Sequence, residues 1–349
     1  MVRQGDTVEW FSAAFPGAPK DEILDGVRIL RSGRQWTVHW KAFRHYGGRL
    51  GSTFDVVVDE INTIPFFTPL WAHIPTLVFI HQLAREVWWY ESRFPISAVG
   101  FISEPWYLRL YRALPVVTVS ISTENDLRRL GFRGPITVIP EGLESITGSR
   151  EERPGTPVFL YVGRLAPSKR VLDLIVALAE FNRFGVPGRL KLVGEGSAKY
   201  VERLKRLASE LEVADKVEFL GRIPARQKHQ EMANAHMLLL ASVREGWGLV
   251  VTEANAFGTP AIAYNVPGLR DSIRHEDTGL LVDPTPQHLA RAMFRLWQDP
   301  VLFSRLSEAA RKWSATFTFD ETASRFRDAL LAAHARKGGH RPADVQVRG

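Results

Sequence analysis

The sequence contains no cysteine. Disulfide bonds, thiolate metal sites and cysteine nucleophiles are thereby excluded, and the chain fits a reducing compartment. The first residues lack the apolar core of a signal peptide, and no run of about 18 uncharged apolar residues occurs that would span a bilayer. Runs of like charge are missing too, and the aromatic residues are not interleaved with basic ones, which disfavours nucleic acid as a partner. We therefore expect a cytoplasmic protein.

What is present indicates a folded protein with two domains. The 349 residues exceed the size of one ordinary domain, and 45% of them are hydrophobic and 24% charged, as is usual in globular proteins. The formal net charge is +7, and the excess of positive charge lies after residue 150. Such a balance suits phosphorylated small molecules or anionic lipid as partners.

The C-terminal half alternates short apolar runs with longer amphipathic ones. The amphipathic runs predict helices, and the apolar runs between them predict strands at 157–163, 189–194, 217–221, 236–242, 260–264 and from 279. Uninterrupted apolar strands that alternate with helices are typical of a parallel sheet covered on both faces. This half is therefore predicted to be a doubly wound, nucleotide-binding α/β domain.

The N-terminal half shows a fainter α/β pattern, with apolar runs that begin near residues 55, 75, 116 and 136. Residues 145–156 are polar and rich in glycine and proline, as an interdomain linker would be. We predict one Rossmann-like domain over 1–144 and a second over 157–317. A helix over 318–337 is predicted to return to the first domain, and residues 338–349 are predicted to be disordered.

Ligands of doubly wound domains bind beyond the carboxyl ends of the strands, so the residues that follow each strand are the candidates for a site. The first strand of the C-terminal half is followed by GRLAPSKR. Ser168 is predicted to cap the next helix, with Arg164 and Lys169 on either side of the positive N-terminus of that helix. Free amides, a helix dipole and two cations would bind a diphosphate. An ordinary solvated turn is the alternative.

Two glutamates follow the predicted strand at 236–242. Glu245 precedes the sequence GWGL, and Glu253 lies a little over two helical turns further on, so both would share one face if the segment were helical throughout. Each carboxylate could accept hydrogen bonds from a pair of hydroxyl groups, on a ribose and on a hexose. The alternative makes Glu245 a turn residue and Glu253 a partner of the helix dipole.

Several blocks of the sequence resemble the family-four glycosyltransferases. The donor-binding half is matched by VGRLAPSKR, VEFLGRIP, SVREGWGLVVTEANAFGTPAIAYNVPGLRD and HEDTGLLVDP. The similarity continues N-terminally through FDVVVDEINTIPFF, LVFIHQLAREVWWYE, VVTVSISTENDLRRLGF and ITVIPEGL. The resemblance implies the B-type glycosyltransferase fold, in which two Rossmann-like domains face each other across a cleft, and transfer of a sugar from a nucleotide sugar with retention of anomeric configuration.

The resemblance also assigns roles to single residues. It implies that Glu245 and His81 are catalytic, Glu245 on the transferred sugar and His81 reaching that sugar from the N-terminal domain. Glu253 would bind the ribose. The nucleotide would contact Gly221 and Arg222. The donor diphosphate would be bound by Gly163, Arg164, Lys169, Gly246, Trp247, Gly248 and Leu249.

No cofactor and no metal site are expected. No Asp-x-Asp motif of the metal-dependent A-type glycosyltransferases follows a predicted strand, and clustered histidines are missing. Cations and helix amides would instead stabilise the leaving nucleoside diphosphate. The resemblance implies a glycan or lipid-linked acceptor, and peripheral contact with the inner face of a membrane. Residues 104–114, which mix aromatic residues with arginine, suit either an interfacial helix or a helix packed on the N-terminal sheet.

The N-terminus departs from the family pattern. Family members begin with a strand, a Gly-Gly loop and a helix, whereas this sequence opens at VRQGDTVEWF, so about 30 to 40 residues of the N-terminal domain are expected to be lacking. A misassigned start, an impaired fragment and compensation by another segment all stay open. Two other functions stay open as well: a sugar-nucleotide epimerase of the same fold, and a catalytically silent protein that binds sugar nucleotides.

Overall fold

The computed structural model describes residues 1–48, 50–144 and 155–338. Within these ranges the chain forms three β-sheets, of which two are parallel sheets covered by helices, and the predicted α/β fold is confirmed. The predicted linker at 145–156 and the predicted disordered tail fall almost entirely on residues outside the described ranges. The exact division into domains therefore stays a prediction.

The N-terminal residues form two separate sheets. The first is a three-stranded mixed sheet of β1 (Glu9–Ser12), β2 (Asp21–Leu24) and β3 (Val27–Arg31), in the order β1-β3-β2. The second is a parallel sheet, in sequence order, of β4 (Val57–Glu60), β5 (Thr76–Ile80), β6 (Val116–Thr118) and β7 (Ile136–Val138). Among the described residues, β1 and β4 each have a neighbouring strand on one side only. The expected lack of a preceding strand, loop and helix stays a prediction.

The helices of the N-terminal half connect and cover these strands. They are α1 (Val38–Tyr46), α2 (Leu50–Thr53), α3 (Val87–Glu91), α4 (Ile96–Tyr107) and α5 (Ile121–Arg129). The sequence at 104–114 does not form one continuous helix, because α4 ends at Tyr107 and a 3-10 helix follows over Leu108–Tyr111. Helix α5 begins at a capping serine: Ser120 Oγ accepts a hydrogen bond from the amide of Thr123 at 3.2 Å.

The C-terminal sheet consists, in the described part of the chain, of six parallel strands. They are β8 (Val158–Val162), β9 (Arg189–Val193), β10 (Val217–Gly221), β11 (Met237–Leu240), β12 (Ala261–Tyr264) and β13 (Gly279–Val282). Their order is β10-β9-β8-β11-β12-β13, so the direction of winding reverses between β8 and β11. The apolar runs read from the sequence are these strands, because a parallel sheet buried on both faces needs side chains without polar groups.

Helices cover both faces of this sheet and bury its core. They are α6 (Val171–Asn182), α7 (Ala198–Glu210), α8 (Ala225–Asn234), α9 (Leu249–Ala256), α10 (Leu269–Ser272), α11 (Pro286–Gln298) and α12 (Pro300–Ser314). The final helix, α13 (Phe319–Gly338), leaves this sheet and packs on the N-terminal one. Its Ala333 is buried against Leu77, Val117 and Ile139.

Candidate active site

The loops after β8 and β9 come so close together that glycine is required. A Cβ on Gly194 would lie 1.9 Å from the carbonyl oxygen of Gly163, and the amide of Gly163 donates to the carbonyl of Val193 at 2.9 Å. Gly163 directly follows β8, beside the point where the strand order reverses, which is where doubly wound domains bind their ligands. The predicted diphosphate site therefore begins at the expected edge of the sheet.

Lys169 and Glu245 meet across this reversal point. The ammonium group of Lys169, in the loop after β8, donates to the Glu245 carboxylate after β11 at 2.6 Å. Ser242 Oγ donates to the same carboxylate oxygen at 2.6 Å. Both side chains are largely buried, with 20% of Lys169 and 17% of Glu245 exposed. The structure thus brings together a residue predicted to bind the diphosphate and one predicted to contact the sugar.

The prediction that Ser168 caps α6 is wrong. Ser168 lies in a 3-10 helix, Pro167–Lys169, and the left-handed residue Arg170 (φ 49°) separates that turn from α6, whose first turn has no side-chain cap. The hydroxyl group of Ser168 is buried and donates instead to the carboxylate of Glu91 on α3. Arg164 also contacts this carboxylate, at 3.5 Å.

Glu91 is therefore an anion bound where the sequence predicts a diphosphate. It comes from the N-terminal half, on the opposite side of the cleft, and is not among the residues predicted for the site. No local signal marks it, because the contact joins residues that are far apart in the chain. The loop after β8 thus contacts a negatively charged group across the cleft.

His81 lies between two carboxylates that are likewise not among the residues predicted for the site. Its Nδ1 lies 2.8 Å from Glu141, and its Nε2 lies 3.5 Å from Glu60. Burial alone would lower the pKa of His81, but hydrogen bonds and charge from Glu141 and Glu60 outweigh it and raise the pKa to about 9. The imidazole is therefore protonated at neutral pH. A signal existed, because Glu60 ends β4, His81 follows β5 and Glu141 follows β7, all at one edge of a parallel sheet.

The backbone of His81 touches the glycine-rich loop of the C-terminal half. A Cβ on Gly246 would lie 2.9 Å from the carbonyl oxygen of His81, which also accepts a hydrogen bond from Thr123 Oγ1. The next residue, Trp247, is 5% exposed and stacks edge-on against Phe317 with ring centroids 5.1 Å apart. Its side chain thus packs the interior, so a role at the diphosphate would rest on its backbone amide.

The segment from Glu245 to Glu253 is not helical throughout. Gly248 has a φ of 90° and α9 begins at Leu249, so Glu245 belongs to the loop while Glu253 lies on the helix. Glu253 accepts a hydrogen bond from Lys228 on α8 at 2.8 Å. The two carboxylates therefore do not share one helical face.

Gly221, predicted to lie at the nucleotide, is the last residue of β10, and Arg222 follows it. The carbonyl of Gly221 accepts a hydrogen bond from the amide of Gly194 at 2.8 Å, and the side chain of Arg222 is exposed. The ends of β8, β9 and β10 are thus linked by backbone hydrogen bonds at one edge of the sheet. The roles assigned to Gly221, Arg222 and Glu253 stay predictions.

Ion pairs hold the two sides of the cleft together next to Glu245. Arg244, which is 9% exposed, donates to Asp126 at 2.5 Å and contacts Glu86 at 3.3 Å. The amide of Ser122 donates to Asp271 at 3.0 Å. The cleft is therefore closed at this point by charged contacts between the N-terminal and C-terminal halves.

Two further findings concern the described part of the chain as a whole. Residues 1–48, 50–144 and 155–338 contain no group of three or more histidine and carboxylate side chains arranged to hold a metal ion. None of the helices in these ranges is both long enough and apolar enough to cross a bilayer.

Two family models match the chain. Residues 1–145 match the model described as Glycosyltransferase Family 4, and residues 144–313 match the one described as Glycosyl transferases group 1. Among curated proteins, glycogen synthase of Mycobacterium tuberculosis is 30% identical over 278 residues, which are 77% of this chain and 65% of that protein. The chain spans between 26% and 65% of the length of the first curated relatives it matches.

Solved structures share the whole fold. Sucrose-phosphate synthase from Thermosynechococcus elongatus superposes with a TM-score of 0.78 at 22% identity, covering 96% of this chain and 91% of that one. Anabaena HepE, solved in complex with UDP and glucose, superposes with a TM-score of 0.69 at 18% identity, covering 88% and 86%. At 22% and 18% identity these matches show a shared fold, in which two Rossmann-like domains face each other.

Proposed function

Since this chain belongs to the family-four glycosyltransferases, we propose that it transfers a sugar from a nucleoside diphosphate sugar to a glycan or lipid-linked acceptor, with retention of configuration and without a metal ion. The observation that carries the proposal is the pairing of Lys169 with Glu245 at the reversal point of the C-terminal sheet. In this proposal Lys169 would serve as the cation for the diphosphate, and the adjacent Glu245 as the carboxylate for the sugar.

The contact between the loop after β8 and the carboxylate of Glu91 supports an anionic ligand at this loop. Ser168 and Arg164 bind the carboxylate of Glu91, so a hydroxyl group and a guanidinium already select negative charge at this place. A diphosphate would replace one carboxylate with more negative charge and more acceptor oxygens. The developing charge of the leaving group would then be stabilised by preorganised cations.

His81 suits a role on the transferred sugar. In the protonated ring, Nδ1–H donates to Glu141, while Nε2–H makes the longer contact with Glu60. The longer contact is the one that a sugar hydroxyl would displace, because less hydrogen-bond energy is lost there. The positive charge of the ring would also stabilise the negative charge that develops on the departing diphosphate.

The proposed reaction needs no nucleophile from the enzyme. The acceptor oxygen bonds to the anomeric carbon on the face from which the diphosphate departs, the bond between that carbon and the phosphate oxygen breaks, and the acceptor proton passes to the departing phosphate oxygen. Lys169 and Arg164 would hold the leaving group near this face. We assign Glu245 to the sugar hydroxyls and Glu253 to the ribose.

The donor screen can begin with uridine nucleotides, since the HepE structure contains UDP and glucose. A nucleotide sugar present at about 100 times its dissociation constant should raise the unfolding free energy by about 2.7 kcal/mol. The stabilising donor is then incubated with glycan and lipid-linked acceptors, and NMR assigns the anomeric configuration of the product. An inverted product, or transfer that is lost in EDTA and restored by Mn²⁺, contradicts the proposal.

Two outcomes of the same screen correspond to the alternative functions. Turnover of the donor without any acceptor indicates an epimerase. Binding without turnover over a broad acceptor panel indicates a silent sugar-nucleotide-binding protein.

We place the reaction in the cytoplasm, at the inner face of the membrane.

A further inference from the structure

Helix α4 turns its apolar residues outward. Ile96, Val99, Ile102 and Trp106 repeat at helical spacing and are each between 56% and 63% exposed. Phe94, just before the helix, is 81% exposed. Side chains of this kind normally face the protein core, and contiguous exposed apolar surface marks an interaction site. These five residues are called the outward face below.

The opposite side of α4 fixes this orientation. Ser97, Gly100 and Glu104 are buried, and a Cβ on Gly100 would lie 2.4 Å from the ring of Trp88. The Glu104 carboxylate accepts hydrogen bonds from the amides of Ala84 and Arg85, both at 2.7 Å. Rotating α4 to bury its apolar residues would break two charge-assisted hydrogen bonds and force a bulkier residue against the Trp88 ring.

The surroundings of the outward face carry positive charge. Between Ser92 and Thr123 the sole acidic residue is Glu104, and it is buried. Arg93 and Arg109 are exposed beside the apolar residues, and the Arg109 guanidinium stacks over the Trp106 ring at 4.0 Å.

The nearest acidic residues of α3 and its N-cap contact the C-terminal half instead. Glu86 contacts Arg244, and Glu91 contacts Arg164. The outward face therefore combines exposed apolar side chains, a tryptophan and two arginines.

We propose that the outward face of α4 docks on a bilayer that contains anionic lipid. Apolar side chains would enter the boundary between headgroups and acyl chains, Trp106 would lie at headgroup depth, and Arg93 and Arg109 would pair with lipid phosphates. A symmetric contact with a second copy would bring the arginines of both copies to one interface, where like charges repel. The proposal concerns binding alone and holds whichever sugar the protein transfers.

The test measures co-sedimentation of the full chain with vesicles of phosphatidylcholine alone and of phosphatidylcholine with phosphatidylglycerol. Wild type is expected to bind the anionic vesicles, and less strongly at high salt. The double variant I102S/W106S removes apolar area, and R93E/R109E reverses the charge. Each is expected to bind at least about tenfold more weakly. The matched control I23S/V301S removes two residues that are 74% and 79% exposed elsewhere on the surface and should bind like wild type.

Thermal melting of all variants checks that they are folded, and sedimentation velocity without lipid measures their oligomeric state. Wild type that binds neither kind of vesicle overturns the proposal. Binding to anionic vesicles that both double variants retain overturns it as well. If wild type does not bind vesicles but forms a dimer that the I102S/W106S substitutions dissociate, the outward face is assigned to a second copy instead.

Discussion

The carboxylate of Glu91 accepts a hydrogen bond from Ser168, although the two residues come from opposite sides of the cleft. The same carboxylate contacts Arg164 at 3.5 Å. An N-terminal anion thus lies against the loop that would bind the donor diphosphate. We therefore expect a donor diphosphate bound by Arg164 to compete with Glu91 for that guanidinium.

Removing the charge of Glu91 should strengthen nucleotide binding. In the Glu91→Gln variant the competing anion is gone, and we expect the affinity for a nucleoside diphosphate to rise by about fivefold, the scale of one partly exposed ion pair. Isothermal calorimetry measures it. Glu86→Gln is the control, because Glu86 also reaches across the cleft but contacts Arg244. A weaker affinity in Glu91→Gln would make Glu91 a ligand of the donor.

Lys169 should contribute far more to the affinity for a nucleoside diphosphate than a comparable lysine elsewhere in the chain. Lys169→Met removes a charged hydrogen-bond donor, at a cost of about 1.5 to 3 kcal/mol, or roughly 10-fold to 160-fold in nucleoside diphosphate affinity. Lys191→Met is the matched control, since Lys191 pairs with Glu231 at 2.7 Å and is similarly buried. Equal losses in both variants would show that the effect comes from lost stability.

Glu245 and Glu253 should affect different parts of the donor. Glu253→Ala is expected to weaken the binding of a nucleoside diphosphate by about 1 to 3 kcal/mol through the lost ribose contact. Glu245→Ala should leave that binding intact or improve it, because Lys169 loses its carboxylate partner and faces the diphosphate unpaired. It should instead slow transfer of the sugar. Calorimetry with the nucleoside diphosphate alone decides: comparable losses in both variants contradict this division.

His81 should make stability depend on pH above neutrality. Its pKa is raised to about 9 from 6.5 by Glu141 and Glu60 against the opposing effect of burial, so the folded state binds the proton more tightly than the unfolded state. The resulting stabilisation, on the order of 3 kcal/mol, is complete below about pH 6.5 and is lost as the pH rises to about 9. Urea unfolding of wild type and His81→Gln measures it. A stability difference between them that stays constant from about pH 6 to about pH 10 would contradict the assignment.

The sequence was most informative where structure follows from local pattern. The strand predicted at 217–221 is β10, and the strand predicted at 260–264 is β12, because buried parallel strands leave continuous apolar runs in the sequence. The resemblance placed Lys169 and Glu245 at one ligand, and the structure joins them.

What the sequence did not show depends on contacts between distant segments. The partners of His81 and of Ser168 come from other strands and from the other half of the chain. The sheet of β1, β2 and β3 was missed because its strands are short and carry charged residues. The sequence of helix α4 carries an apolar stripe, and the exposure of that stripe and the burial of Glu104 are visible only in the structure.

The return of α13 to the N-terminal sheet has a consequence for synthesis on the ribosome. Arg325 donates to the carbonyl of Val138, 187 positions earlier in the chain, and the helix covers Leu77, Val117 and Ile139. At roughly 5 to 20 residues per second, translation takes on the order of ten to forty seconds to cover that distance. During this interval the nascent N-terminal sheet exposes an apolar face that its own last helix has yet to cover, so a chaperone has a defined period in which to bind it.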